Sequence, residues 1–269
     1  MNDILVDLSI QSLTAAIEKN LFATYSTFSQ WPRVDVHEET DLFWSMSDIP
    51  FPIFNGVLRA QLAPTRIDGV VDSIKAQATS RHVPLLWWTG PTTQPADLGK
   101  HLERHGFVSE GEMPGMAVIL ENLSENLSGP AGFTIRPVND DALLKQWGDI
   151  FAKGFGLPDF VGESFCDYLR HVDRNRIRAY IGLLNGEPVA TSLLLLVAGI
   201  AGIYNVATVP EARRQGIGGL MTLTPLREAR SLGYKIGVLN ASEMGVNVYR
   251  SLGFQAYCKI GQYLWSPEY

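Results

Sequence analysis

The chain has 269 residues, of which 46% are hydrophobic and 19% charged, and its net charge is −6. That length allows one large core or two ordinary ones, and the composition is that of a globular chain rather than a disordered one. Residues 1–128 hold 8 Lys+Arg against 16 Asp+Glu and residues 129–269 hold 14 against 12, so the acidic first half argues against non-specific nucleic-acid binding, which needs a basic face.

The start, Met1-Asn2-Asp3-Ile4, is acidic and lacks the basic residues of a signal peptide. Asn55 to Leu62 reads as a strand, Ile67 to Ser80 as a helix, and Val83 to Thr89 as a strand with Trp87 and Trp88 in a core. Asp97 to His105 reads as a helix closed by Gly106-Phe107, and Met116 to Leu120 as a strand. His101 and His105 have the i, i+4 spacing of a metal site. The glutamate between them is displaced from the His-Glu-x-x-His pattern, so a solvated face and no metal are expected. The polar run Glu121 to Pro130, closed by Gly129-Pro130, is the expected boundary between domains over 1–121 and 130–269.

Phe133 to Val138 alternates like a strand, and Asp140 and Asp141 are placed to cap a helix from Ala142 to Phe155. A second helix is expected over Glu163 to Val172. Arg178 to Leu184 and Glu187 to Val197 flank Asn185-Gly186, a pair suited to a two-residue hairpin turn with positive φ at both positions. The longest apolar stretch, Ala190 to Ala198, falls far short of the ~20 residues of a bilayer span. A turn over Gly199 to Gly202 leads to a strand over Ile203 to Thr208, then to a glycine loop and a helix ending near Ser231, with Gly233 beyond its end. A strand over Lys235 to Ala241, a helix over Glu243 to Leu252 and a strand from Phe254 complete the order β-α-α-β-β-β-α-β-α-β. That is an α/β fold of mixed strand direction. Cys166 and Cys258 lack histidine partners and read as buried thiols. Two cysteines suggest no disulfide framework, and a cytoplasmic location with no membrane attachment is expected.

The chemistry concentrates between the strand and the helix, in Val206-Ala207-Thr208-Val209-Pro210-Glu211-Ala212-Arg213-Arg214-Gln215-Gly216-Ile217-Gly218-Gly219-Leu220. The first backbone N–H groups of a helix have no internal partners and carry the positive end of its dipole, so such a terminus binds phosphate. Glycines at 216, 218 and 219 open the approach to those donors, and Arg213 and Arg214 add positive charge. There is no Gly-Lys-Ser/Thr of a P-loop, and Gly-x-Gly-Gly is not the dinucleotide fingerprint.

Arg213-Arg214-Gln215-Gly216-Ile217-Gly218 resembles the Arg/Gln-x-x-Gly-x-Gly/Ala loop of the GNAT superfamily of coenzyme A-dependent N-acetyltransferases. Tyr249-Arg250-Ser251-Leu252-Gly253-Phe254 resembles that family's Tyr-x-x-Leu-Gly-Phe segment. The resemblance covers roughly Phe133 to Trp265. It implies a mixed, largely antiparallel sheet flanked by helices, with acetyl-CoA as co-substrate, an amine as acceptor and no metal. It further implies a bulged strand whose backbone at Val206, Ala207 and Thr208 meets pantetheine. A pyrophosphate would lie on the loop formed by Arg213, Arg214, Gln215, Gly216, Ile217, Gly218 and Gly219. Ser242 would contact the cofactor where many members carry Asn, and Tyr249 would protonate the departing thiolate. Glu243 is the acid nearest in sequence, and the general base stays open between it and a water chain. The first half, ending in Leu102-Glu103-Arg104-His105-Gly106-Phe107, reads as a degenerate GNAT-like copy. Ala63-Pro64-Thr65-Arg66 stands where its loop would be, so no second cofactor is expected. Two alternatives are a non-catalytic acyl-CoA-binding regulatory protein and a first half that serves as an interaction module. The acceptor is left open among small amine, amino acid, antibiotic and protein.

Overall fold

The computed structural model describes residues 4–267. In chain order the main elements are α1 (Ile10–Ser26), β1 (Val34–Glu38), β2 (Phe43–Ser47), β3 (Gly56–Leu58), α2 (Ile67–Arg81), β4 (Leu85–Thr89), α3 (Leu98–Arg104) and β5 (Val108–Ile119). They continue with β6 (Phe133–Pro137), α4 (Asp141–Phe155), α5 (Asp159–His171), β7 (Ile177–Leu184), β8 (Glu187–Val197), β9 (Ile200–Thr208), α6 (Ile217–Ser231), β10 (Ile236–Asn240), α7 (Val246–Ser251) and β11 (Gln255–Trp265). Two compact units result. One gathers Met1–Leu21 and Gly115–Tyr257, the other Phe22–Pro114 and Cys258–Tyr269. A single cut between 121 and 130 therefore does not describe the division. Residues 115–121 and the start of α1 belong with the second half of the sequence, and the last residues belong with the first half.

In the first unit the strands run β5-β10-β9-β8-β7-β6, antiparallel throughout except for the parallel pair β10–β9. The local chemistry follows the residues. Asp140 accepts a hydrogen bond from the Leu143 N–H at 2.8 Å and caps α4. The β7–β8 hairpin turns at Asn185 and Gly186, with φ of 53° and 90°. Helix α6 lays Ile217, Met221, Leu223 and Leu226 on one face of the sheet, against Leu194, Ile203 and Leu239.

Two expectations shift. The turn before β9 falls at Ala198 and Gly199, and Gly202 lies inside the strand. The reason is Asn20 of α1, fully buried, whose Oδ1 would stand 2.0 Å from a Cβ at Gly202. Its Nδ2 donates to the carbonyls of Val197 and Ile200 at 3.4 Å, and Oδ1 accepts from the Tyr204 hydroxyl at 2.9 Å. The helix expected from Glu243 begins at Val246, because Ser242 to Gly245 closes a turn first.

The second unit has the order β1-β2-β3-β4-β11, antiparallel except for the parallel pair β3–β4. That pair is joined by α2, as β9 and β10 are joined by α6 in the first unit, so the β-α-β core recurs. Trp87 and Trp88 are both buried, and Trp88 donates from Nε1 to the Tyr25 hydroxyl at 2.8 Å. The histidine face is not simply solvated. The His105 ring nitrogens meet Asp72 at 2.9 Å and Asp68 at 3.0 Å, and the hydrogen bond to His105 holds the Asp68 carboxyl below its ordinary pKa. Among the described residues no group of three or more His, Cys, Asp or Glu could hold a metal ion. No helix among them is long and apolar enough to cross a membrane.

Candidate functional site

The first unit's sheet opens where β9 and β10 part. Their parallel ladder has two rungs, Gly237↔Ala201 and Val238↔Gly202. Beyond them β9 runs on to Thr208 and β10 to Asn240 without pairing to each other. A bulge accompanies the split. Thr191 pairs with Ala207 and Leu193 with Tyr204, so Asn205 and Val206 share the place opposite Ser192. Asn205 takes a φ of 51°, and its carbonyl accepts from the Thr191 hydroxyl at 3.0 Å. The fork thus leaves backbone of Val206, Ala207 and Thr208 without a partner on the β10 side. Gly154 of α4 backs this stretch. A Cβ there would stand 2.8 Å from the Ala207 Cβ.

The loop after Thr208 ends in a row of free donors. Ala212 and Arg213 donate to the carbonyls of Val209 and Pro210, and the next backbone bond is from Leu220 to Gly216. The six N–H groups from Arg214 to Gly219 have no acceptor among the described residues. An ordinary helix start leaves four. Arg214 at φ 62° and Gly216 at φ 79° bend the chain into the 15-residue helix α6, whose dipole adds partial positive charge. A Cβ on Gly218 would meet nothing within 4 Å, so space lies in front of the donors. The two arginines divide their work. Arg213 donates to the Thr208 carbonyl at 3.1 Å and to the Gly154 carbonyl at 2.8 Å, stapling the loop to the end of α4. Arg214 is exposed beside the row.

Tyr249 lies on α7, half-buried, and packs on the same core cluster as Val206 and Val246. Its ring stands 6.0 Å from that of Phe254 and lies against Gly245, where a Cβ would come within 2.7 Å of it. Burial pushes its pKa up to about 12. Ser242 turns its hydroxyl inward to its own turn, accepting from the Gly245 N–H at 3.3 Å. Glu243 is exposed. Cys166 is buried with Sγ 3.1 Å from the Leu144 carbonyl, and burial raises its pKa to about 11. Cys258 is half-buried.

Residues 140–239 match the family model of the acetyltransferase (GNAT) domain. That match spans 100 of the chain's 269 residues, all of them in the first unit. Solved structures share its fold over nearly their whole length. A GCN5-related N-acetyltransferase from Kribbella flavida is 18% identical, with a TM-score of 0.70 over 93% of this chain and 96% of that one. One from Sphaerobacter thermophilus is 14% identical, with a TM-score of 0.66 over 97% and 95%. A tandem GNAT protein from the clavulanic acid biosynthesis pathway is 13% identical, with a TM-score of 0.57 over 99% of each chain. At such identities the likeness is one of fold. No curated protein matches the chain.

Three residues around the fork escaped the sequence reading. Asn205 interrupts an apolar strand with a residue that tolerates positive φ, which was a usable signal for the bulge. Gly154 looks like an idle glycine inside a helix until Ala207 is placed against it. Asn240 ends β10 with Oδ1 buried and unpartnered, which no pattern of one strand reveals.

Proposed function

We propose that the GNAT domain moves an acetyl group from acetyl-CoA to an amine. The six unpartnered N–H groups beside the open fork carry this reading. The pyrophosphate lies on the donors of Arg214 to Gly219, where charge-assisted hydrogen bonds and the α6 dipole favour it. Pantetheine runs back from there along Val206, Ala207 and Thr208, pairing with backbone that β10 leaves free. The thioester then sits toward the apex of the fork. The amine nitrogen attacks the thioester carbonyl carbon, the C–S bond breaks with its electron pair going to sulfur, and the Tyr249 hydroxyl gives the thiolate its proton. The proton released by the amine passes to water, and Glu243 is exposed to that water. With its pKa pushed up to about 12, the phenol keeps its proton at neutral pH.

In this reading Ser242 and Arg213 act on the protein's own backbone and Arg214 remains for the anion. The Phe22–Pro114 unit is a degenerate copy that takes no cofactor of its own. Its helix α2 is entered through Pro64, which has no N–H, and no residue from 60 to 66 has positive φ. The reaction belongs in the cytoplasm, where two free thiols are stable.

Calorimetry with acetyl-CoA tests the site. The full chain should bind one equivalent, and Gly218→Glu should abolish binding while folding normally, because the added side chain enters open space. Unchanged affinity in the folded variant overturns the assignment. Thiol release from acetyl-CoA in the presence of a panel of amines then separates an enzyme from a non-catalytic acyl-CoA binder.

A further inference from the structure

Asn240 ends β10 at the open fork, and its Oδ1 is buried without a hydrogen bond. A buried carboxamide oxygen without a donor has lost its water and gained nothing in return, so it points to a donor that arrives with a ligand. Among the described residues, four other buried polar atoms share this condition. Ser45 Oγ, Arg59 Nε and Trp87 Nε1 belong to the other unit, and Ser192 Oγ sits in a strand paired on both sides. Only Asn240 stands where two strands part.

Its position decides which ligand group it faces. From the last rung, Val238↔Gly202, two residues along each strand bring Asn240 level with Tyr204, just short of the bulge at Asn205 and Val206. That is the apex end of the fork, away from the donor row that follows Thr208. Leu239 and Ala241 belong to the core cluster under α6. Alternation along the strand therefore turns Asn240 to the opposite face. Gly202 and Tyr204, which meet Asn20 of α1, lie on that face too. A cofactor held by the start of α6 enters the fork from the α6 side, so the nucleophile reaches the acyl carbon from the other. An acetyl group has no N–H or O–H to offer. The incoming amine has.

We propose that Asn240 holds the attacking amine, Oδ1 accepting one N–H so that the nitrogen lone pair faces the thioester carbon. The inference rests on the acetyl-transfer reading and names a positioning contact within it. A carboxamide takes no proton, so the amine's surplus proton still leaves to water. The fitting substrate class is a primary amine, which gives one N–H to Asn240 and keeps another for solvent.

The test uses the full chain, with Asn240→Leu removing the acceptor at similar size and Asn240→Asp keeping an acceptor oxygen. Three quantities are measured: acetyl-CoA affinity by calorimetry, the thermal midpoint of the free protein, and steady-state kinetics with the best primary amine of the panel. Asn240→Leu should leave acetyl-CoA affinity unchanged, raise the midpoint, and raise the amine KM by about tenfold, the worth of one hydrogen bond. Asn240→Asp should recover most of the amine KM. A lowered midpoint in Asn240→Leu would assign the amide to the fold. Weakened acetyl-CoA binding would assign it to pantetheine, and unchanged amine kinetics would leave it no role in catalysis. Each of these overturns the inference. A wild-type chain that binds no acetyl-CoA removes the acetyl-transfer reading first, and the inference falls with it.

Discussion

Gly216 and Gly218 are two positions apart and do different jobs. Gly216 combines a φ of 79° with a carbonyl, that of Ser128, which would lie 2.7 Å from a Cβ. Gly218 has neither constraint. Gly216→Ala should therefore cost about 1–2 kcal/mol from the left-handed backbone alone, whereas Gly218→Ala should leave the denaturation midpoint within error. Urea titration of both variants checks this, and equal losses would show that the loop is not shaped as described. Tyr249 allows a kinetic counterpart. Tyr249→Phe should lower kcat by about 10²–10⁴, the usual worth of a general acid, with acetyl-CoA affinity kept by the retained ring. The phenol's pKa of about 12 in the folded chain lies above the ~10 of an unfolded tyrosine. The unfolded chain then loses this proton first as pH rises, so Tyr249 favours folding fully below pH ~10 and progressively less up to about 12. Tyr249→Phe should flatten the alkaline loss of stability across that window. A variant with the wild-type alkaline slope would place the titrating group elsewhere.

The β9–β10 fork was visible in the sequence only through its neighbours. The hairpin at Asn185-Gly186 and the cap at Asp140 each rest on contacts within a few residues, and the glycines before α6 form a local pattern, so those parts of the reading agree with the structure. What fails is whatever depends on a distant partner. Gly202 reads as turn chemistry because Asn20, 182 positions earlier in the chain, is what forbids its side chain. Likewise α1 carries Leu13, Ile17 and Leu21 on one face, a spacing that was there to read. Its destination, the β8–β9 turn and Tyr204, was not. Gly202→Ala should accordingly destabilise the chain by about 1–3 kcal/mol, as overpacking in a closed core does. Asn20→Ala should relieve part of that loss in the double variant. Additive losses in a double-mutant cycle would mean that the two residues do not press on each other.

At the scale of the chain, the division into units cannot be read from any one segment, because a strand's own alternation does not say which edge it joins. Residues Gly115 to Ile119 pair with all five residues of β10, from Asn240 back to Ile236. Residues Leu85 to Thr89 pair instead with Gly261 to Trp265 at the end of the chain. The polar run at Glu121 to Pro130 has a linker's composition and yet is tied down. Ser124 donates to the Leu252 carbonyl, and Glu125 pairs with Arg227 and with Arg230 of α6, which hold its carboxyl below the ordinary range. A fragment cut at that run, residues 130–269, therefore keeps the whole glycine loop and loses what supports it. Without 115–119 the β10 edge of the fork is an exposed template for pairing with other chains. Gly237 loses Leu120 and Val118, which lie 3.0 and 3.1 Å from where its Cβ would be. Without 10–21 the carbonyls of Val197 and Ile200 lose their donor. The fragment should thus be insoluble or aggregated and bind no acetyl-CoA. A chain beginning at residue 115 should recover part of the soluble yield by restoring the β5 partner. Soluble yield, light scattering and acetyl-CoA calorimetry on the two fragments decide the matter. A monodisperse 130–269 fragment with the affinity of the full chain would show that the glycine loop needs neither borrowed strand nor α1.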